Sequence, residues 1–181
     1  MVWNIPNIIT IIRLFAAILF VPVYFYEQSA GVPHYIALSL YIFASVTDVI
    51  DGYIARKYKL ITEFGKLFDP IADKLLQFLV VVCIAFHDNI YIFLAAFIFV
   101  KEIVMAIGTY KLYKDKMVVS ANIYGKIASV LYFVLFFAII GFKEYIPHFY
   151  EIALQIVFIT SSLFAFINYY RQYFNLKKHK N

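Results

Sequence analysis

Charge is scarce in this sequence. Asp, Glu, Lys and Arg make up 15% of its 181 residues, against about a quarter in an average soluble domain. That shortage excludes an ordinary soluble fold, and a 64% hydrophobic share with mean hydropathy +0.81 points to an integral membrane protein. Cysteine is nearly absent: Cys83 has no partner, which excludes an intrachain disulfide and leaves the redox compartment unmarked. Six glycines and five prolines are spread too thinly for a low-complexity segment, and no internal repeat is visible. The N-terminus lacks the marks of a secretory signal. No basic stretch precedes its apolar run, Arg13 interrupts that run, and no small-residue cleavage site follows, so a retained first helix is expected.

What is present is a succession of apolar stretches. Roughly 20 apolar residues cross a bilayer as a helix, and six stretches of about that length run over Ile8–Tyr26, Tyr35–Ala55, Asp69–Phe86, Ile90–Tyr113, Asn122–Phe142 and Tyr150–Phe174. Short polar connections leave no room for a further domain, so residues 1–181 are expected to form one all-α membrane domain, a bundle of six transmembrane helices. Basic residues mark alternate connections: Arg56, Lys57, Lys59 and Lys66 in the second, Lys114 and Lys116 in the fourth, Arg171, Lys177, Lys178 and Lys180 in the tail. By the positive-inside rule both termini and the second connection face the cytoplasm of a multi-pass cell-membrane protein. The net charge of +5 gathers beside apolar segments, which favours anionic lipid headgroups over nucleic acid as its partner.

Against that background, two aspartate pairs stand out in the run DVIDGYIARKYKLITEFGKLFDPIADK. An ionisable group inside a transmembrane helix costs roughly 2.5 kcal/mol or more on insertion scales, so several together call for cations. Asp48, Asp51, Gly52 and Ala55 share one helical face, and Gly65, Asp69 and Asp73 form a stripe on the next. The short connection predicts antiparallel neighbours with carboxylates facing each other, a cage for cations. Oxygen donors without His or Cys favour Mg²⁺ or Mn²⁺ over Zn²⁺, with Ca²⁺ also admissible. Four aspartates match two divalent ions in formal charge, the arrangement that clamps phosphoryl oxygens in a displacement. Gly52 and Ala55 permit close approach to the backbone, and Arg56 suits bidentate phosphate binding. Two other readings use the same residues. The aspartates pair with Arg56, Lys57, Lys66 and Lys74 as interfacial salt bridges, or they belong to a divalent-cation transporter, although no acidic path continues through the later helices.

The pattern Asp48-x2-Asp51-Gly52-x2-Ala55-Arg56-x8-Gly65-x3-Asp69-x3-Asp73 resembles, without gap or substitution, the signature of the CDP-alcohol phosphotransferases. The resemblance implies an enzyme that moves the phosphatidyl or a similar group from a CDP-linked donor to an alcohol, releasing CMP. It further implies that Asp48, Asp51, Asp69 and Asp73 hold two divalent cations, Mg²⁺ or Mn²⁺, and that Asp73 also takes the proton of the attacking hydroxyl. Gly52, Ala55, Arg56, Thr62 and Gly65 are then expected at the donor. The opening NIPNIITIIRLF is similar to that of the bacterial phosphatidylglycerophosphate synthases, a subgroup that uses CDP-diacylglycerol and glycerol 3-phosphate. On that likeness Asn7 and Thr10 join the donor site and Arg13 the acceptor phosphate; the plainer reading is a helix cap followed by a snorkelling arginine.

Acceptor recognition needs further cationic or polar donors, and Lys101, Lys111, Lys116, Ser120, Lys126 and Arg171 are the candidates. Lys101-Glu102 and Gly125-Lys126-Ile127 resemble stretches of the synthase subgroup, with Lys101 in place of the commoner arginine. For Lys111 and Lys116 a solvated, positive-inside loop is the competing reading. The function expected is transfer of the phosphatidyl group of CDP-diacylglycerol to the 1-hydroxyl of glycerol 3-phosphate in phospholipid biosynthesis, by a homodimer on the strength of the resemblance. Phosphatidylglycerol, inositol phosphate or serine are the alternative acceptors.

Overall fold

The computed structural model describes residues 4–58, 62–114 and 123–178, with side chains for all of these except 56, 63, 64, 66, 67, 70, 109–114 and 173–178. The described residues are helical without strands: α1 Ile5–Ala30, α2 Tyr35–Lys57, α3 Glu63–His87, α4 Ile92–Lys114, α5 Ile123–Phe142 and α6 His148–Lys178, with 3-10 turns at Asn89–Tyr91 and Lys143–Tyr145. Each expected apolar stretch thus corresponds to a helix. The largest difference in bounds is α3, which begins at Glu63 rather than Asp69 because the Thr62 side chain caps it by accepting the Gly65 N–H.

Five of these elements contain stretches long and apolar enough to cross a membrane: Ile5–Ala30, Tyr35–Ala55, Asn89–Gly108, Ile123–Tyr145 and His148–Gln172. At most 33% of each hydrophobic window is buried within the protein. Large apolar side chains such as Phe15, Ile18, Leu19 and Phe93 point outward, as a lipid-facing surface requires. These helices are those of a multi-pass membrane protein. The first half of α3 carries Lys66, Asp69, Asp73 and Lys74, and this polar load separates it from the other five.

The chain divides into two compact units, 1–92 with 140–143, and 93–139 with 144–181. In the first, α2 and α3 each pack mainly against α1 and touch each other little. This corrects the expectation of a direct α2–α3 pairing: the short connection sets their directions, but α1 supplies the surface both lie on. Small side chains permit the close approach, with Ala17, Ala37, Ala44 and Ala72 wholly buried beside Phe20 and Val80. In the second unit the core is aromatic. Tyr132 stacks at a tilt on Phe136 with ring centroids 4.4 Å apart and meets Phe158 edge-on at 5.6 Å, and Gly108 lies against the Tyr169 ring.

Helix ends inside an apolar protein must have their backbone groups satisfied. Asn4 caps α1, its side chain accepting the Asn7 N–H at 3.1 Å, and Gly31 ends the helix in the left-handed region at φ 63°. The start of α2 is capped from another helix. The Glu27 carboxylate, buried in α1, accepts the N–H groups of Ile36 at 2.8 Å and Ala37 at 3.0 Å. Nearby, Lys143 pairs with Asp88 at 2.8 Å.

Replacing Glu27 with Ala leaves two N–H groups at the α2 start without their acceptor, a loss of about 1–3 kcal/mol for the buried Ala37 N–H and less for that of the exposed Ile36. Thermal unfolding of the purified protein in detergent is expected to show a lowered midpoint for Glu27→Ala, with Glu27→Gln falling between.

Candidate active site

The polar end of the first unit is organised by α1. Asn7, Thr10 and Arg13 follow at steps of three, which turn them slowly around one side of the helix. All three are buried, Arg13 and Thr10 with no exposure. Each reaches a different part of the acidic hairpin. The Asn7 carbonyl oxygen accepts the Thr62 hydroxyl at 2.9 Å, the Thr10 hydroxyl donates to Asp69 Oδ1 at 2.5 Å, and the Arg13 guanidinium bridges Asp48 and Asp51. Its Nη1 lies 2.6 Å from Asp48 Oδ1, and Nη2 donates to Asp51 Oδ2.

These contacts fix the relative directions of the three helices. The N-terminal end of α1 meets the C-terminal half of α2 and the N-terminal half of α3, so α1 and α3 run the same way and α2 runs against both. Asp48 keeps 43% of its side chain exposed while Asp51 keeps 3%, so the pair spans the boundary between interior and open surface. Asp51 lies within electrostatic reach of Asp48 and Asp69. One turn past Asp69, Gln77 Nε2 donates to both Asp73 oxygens at 3.2 Å.

Gly65 shows why the motif has a glycine there. A methyl group at its Cα would lie 3.1 Å from Asn7 Oδ1, 3.3 Å from Thr62 Oγ1 and 3.4 Å from Asp69 Oδ2. Any side chain would press on the link between α1 and α3 and on the Asp69 carboxylate. Gly52 and Ala55 are half-buried in the last turns of α2.

The expected site residues are therefore divided. Asp48, Asp51, Asp69, Asn7, Thr10, Arg13, Thr62 and Gly65 come together, and Asp73 lies one turn beyond Asp69 on α3. Arg13, expected at the acceptor phosphate, is instead enclosed and committed to two carboxylates, which leaves its guanidinium no open face for a phosphate. Thr10, expected at the donor, is wholly buried with its hydroxyl on Asp69, and Asn7 serves as the acceptor for Thr62. Of the expected salt bridges, those to Arg56 and Lys66 fall on side chains outside the described residues, and the ion pairs described for Asp48 and Asp51 are with Arg13 of another helix. Lys101, Lys126 and Arg171 belong to the second unit, where Lys101 pairs with Glu102 at 2.8 Å and Lys126 and Arg171 are exposed. The side chains of Arg56 and Lys111 and the whole of Lys116 and Ser120 lie outside the described residues. Gln77 was not among the expected residues, although a glutamine four positions after an aspartate on one helix is a readable hydrogen-bond pair.

Among the described residues no group of three or more acidic, His or Cys side chains stands close enough together to hold a metal ion as placed. The donor chemistry nonetheless fits a hard divalent ion: the converging groups are carboxylates, and two of them already draw a cation between them, the Arg13 guanidinium. Arg13 also changes the charge balance, leaving three net negative charges on the four aspartates when all are ionised.

A sequence model of the family described as CDP-alcohol phosphatidyltransferase matches residues 3–167. The chain is 42% identical over 87 residues to a CDP-diacylglycerol--glycerol-3-phosphate 3-phosphatidyltransferase of Rickettsia felis, covering 48% of this chain and 47% of that protein. To the Bacillus subtilis protein of the same name it is 34% identical over 137 residues, 70% of this chain and 71% of the relative. It is 32% identical over 104 residues to a cardiolipin synthase (CMP-forming) / mitochondrial hydrolase fusion protein of Schizosaccharomyces pombe, covering 58% and 17% of the two. The chain thus spans about half the length of the Rickettsia relative it matches.

Thr62→Val removes the acceptor of the Gly65 N–H and the donor to Asn7. Loss of such a cap costs about 1 kcal/mol, so amide hydrogen exchange at Gly65 is expected to accelerate roughly five-fold, with little change at the far end of α3.

Proposed function

The chain belongs to the CDP-alcohol phosphatidyltransferase family, and from that premise we propose that it transfers the phosphatidyl group of CDP-diacylglycerol to the 1-hydroxyl of glycerol 3-phosphate. The products are phosphatidylglycerol phosphate and CMP. The observation that carries this reading is that α1 draws Asp48 and Asp51, through Arg13, and Asp69, through Thr10, to one polar end of a membrane protein. The names borne by the Rickettsia and Bacillus relatives support the choice of donor and acceptor.

In this reading Asp48, Asp51, Asp69 and Asp73 hold two divalent cations, Mg²⁺ or Mn²⁺. The chemistry these ions supply when bound is neutralisation of the diphosphate oxygens, so that charge developing on the leaving CMP is tolerated. Gly52 and Ala55 leave room for the donor against the α2 backbone, Gly65 and Thr62 border it at the start of α3, and Arg56 at the end of α2 binds its diphosphate. The hydroxyl oxygen of the acceptor attacks the lipid-proximal phosphorus, a new P–O bond forms, and the bond to the bridging oxygen of CMP breaks. A neutral hydroxyl is a poor nucleophile, so its proton must leave as that bond forms. Asp73 accepts it. Gln77, donating to both carboxylate oxygens, holds Asp73 in orientation for that transfer. Lys101, Lys126 and Arg171 remain candidates for the acceptor phosphate.

The proposed setting is the cell membrane, with α3 as the sixth spanning helix and the acidic end and both termini at the cytoplasmic face, as the basic connections favour. A homodimer is the proposed assembly. The likeness to a cardiolipin synthase fusion protein supports a second reading, in which the same chemistry uses phosphatidylglycerol as acceptor.

Purified protein with CDP-diacylglycerol, Mg²⁺ or Mn²⁺ and each alcohol in turn, scored for CMP and lipid product, tests the proposal. Turnover is expected with glycerol 3-phosphate and is expected to stop on chelation and resume on adding back either ion. CMP release only with phosphatidylglycerol would replace the first reading by the second, and vesicle uptake of metal without CMP release would overturn both. Asp73→Asn is expected to lower kcat roughly 100-fold or more, the scale of a lost general base, while the protein elutes from size exclusion as the wild type does.

A further inference from the structure

The contacts made by α1 share a feature that a purely structural role does not require. Each takes one oxygen of a carboxylate: Thr10 holds Asp69 Oδ1, and Arg13 holds Asp48 Oδ1 and Asp51 Oδ2. The opposite oxygens, Asp69 Oδ2, Asp48 Oδ2 and Asp51 Oδ1, receive no side-chain donor among the described residues. Asp69 Oδ2 faces Gly65, where a methyl group on the Cα would lie 3.4 Å from it.

Both α1 residues forgo something for this arrangement. The Thr10 hydroxyl has a backbone acceptor within reach, the Pro6 carbonyl at 3.1 Å, yet its single proton is drawn to the closer and charged oxygen of Asp69. Arg13 leaves its Nε–H buried without a partner while Nη1 and Nη2 go to two separate carboxylates. A forked pair with one aspartate would have been the ordinary geometry for a lone salt bridge. The bridging geometry sets the angle between Asp48 and Asp51 instead.

We propose that Thr10 and Arg13 are positioning residues of a divalent-cation site, each fixing one oxygen of its aspartates and leaving the other oxygen of the same carboxylate for the ion. This inference rests on the reading of Asp48, Asp51 and Asp69 as metal ligands. Groups that hold a ligand from behind set its orientation, and their loss typically weakens metal affinity about 10- to 100-fold. The charge of Arg13 acts in the opposite sense, since it repels a dication at the carboxylates it orients. Arg13→Gln would mix the two effects, whereas Arg13→Lys keeps the charge and removes the fork that bridges Asp48 to Asp51.

The test is Mn²⁺ binding to the full chain in detergent, by titration and by the electron paramagnetic resonance spectrum of the bound ion, without substrates. Thr10→Val is expected to raise the Mn²⁺ Kd about 10-fold and to broaden the spectrum, and Thr10→Ser to restore both. Arg13→Lys is expected to shift affinity and spectrum in the same direction, and if it does not fold, the Thr10→Val and Thr10→Ser pair decides alone. Wild-type Kd and spectrum in Thr10→Val, with binding lost in Asp69→Asn, would overturn the positioning role while leaving the metal site in place. Unchanged Mn²⁺ binding in Asp69→Asn would overturn the metal-ligand reading and this inference with it.

Discussion

A guanidinium with no exposed surface, held between two carboxylates, is the constraint around which the first unit is built. Removing such charges from water costs several kcal/mol for each, and only mutual pairing with well-placed hydrogen bonds offsets it. Arg13 cannot sit where it does unless Asp48 and Asp51 arrive from α2. Asp51, 3% exposed, could not in turn lie buried there without a cation. The interaction therefore specifies which end of α2 meets which end of α1 and how far each is inserted, which alanine packing alone would leave loosely defined. Small residues allow the helices to approach, and the buried charges choose the register.

The same division of labour appears at the opposite end of the unit. Glu27 caps α2 from within α1, and Lys143 meets Asp88. Buried polar groups at both ends and apolar contacts between suit a helical unit in lipid. Apolar surface gains little from burial there, whereas an unsatisfied backbone or charged group is costly. That α2 and α3 lean on α1 rather than on each other follows from where the polar partners sit: the Asn7, Thr10 and Arg13 side chains draw both acidic stripes to one helix.

This arrangement bears on the proposed chemistry. A site that handles a diphosphate beside a membrane must keep several carboxylates close together before any ion or substrate arrives, and like charges resist that. Arg13 relieves part of the repulsion, and Thr10 and Gln77 hold two further carboxylates by hydrogen bonds. Preorganisation of this kind spares the reaction the reordering of its charged groups. The match to the CDP-alcohol phosphatidyltransferase family spans all of these residues.

Much of this was legible in the sequence. Apolar runs of bilayer length located five of the described helices and the apolar second half of α3, because in lipid the backbone must satisfy its own hydrogen bonds and a long apolar run has few other options. Helical spacing put Asp48 with Asp51 and Asp69 with Asp73 on common faces, and the motif identified the family. The start of α3 was misplaced by six residues because a polar first turn capped by Thr62 does not look like membrane helix. What the sequence could not express is partnership across long separations. Arg13 finds Asp48 and Asp51, and Asn7 finds Thr62, over separations of 35, 38 and 55 residues. Local periodicity determines which face of a helix a residue occupies; which other helix lies against that face is decided only when all buried charges must be paired at once. For that reason the sequence by itself determined the helices and the acidic stripes, and the tertiary structure alone turned Arg13 from an expected phosphate ligand into the counter-ion of the aspartates.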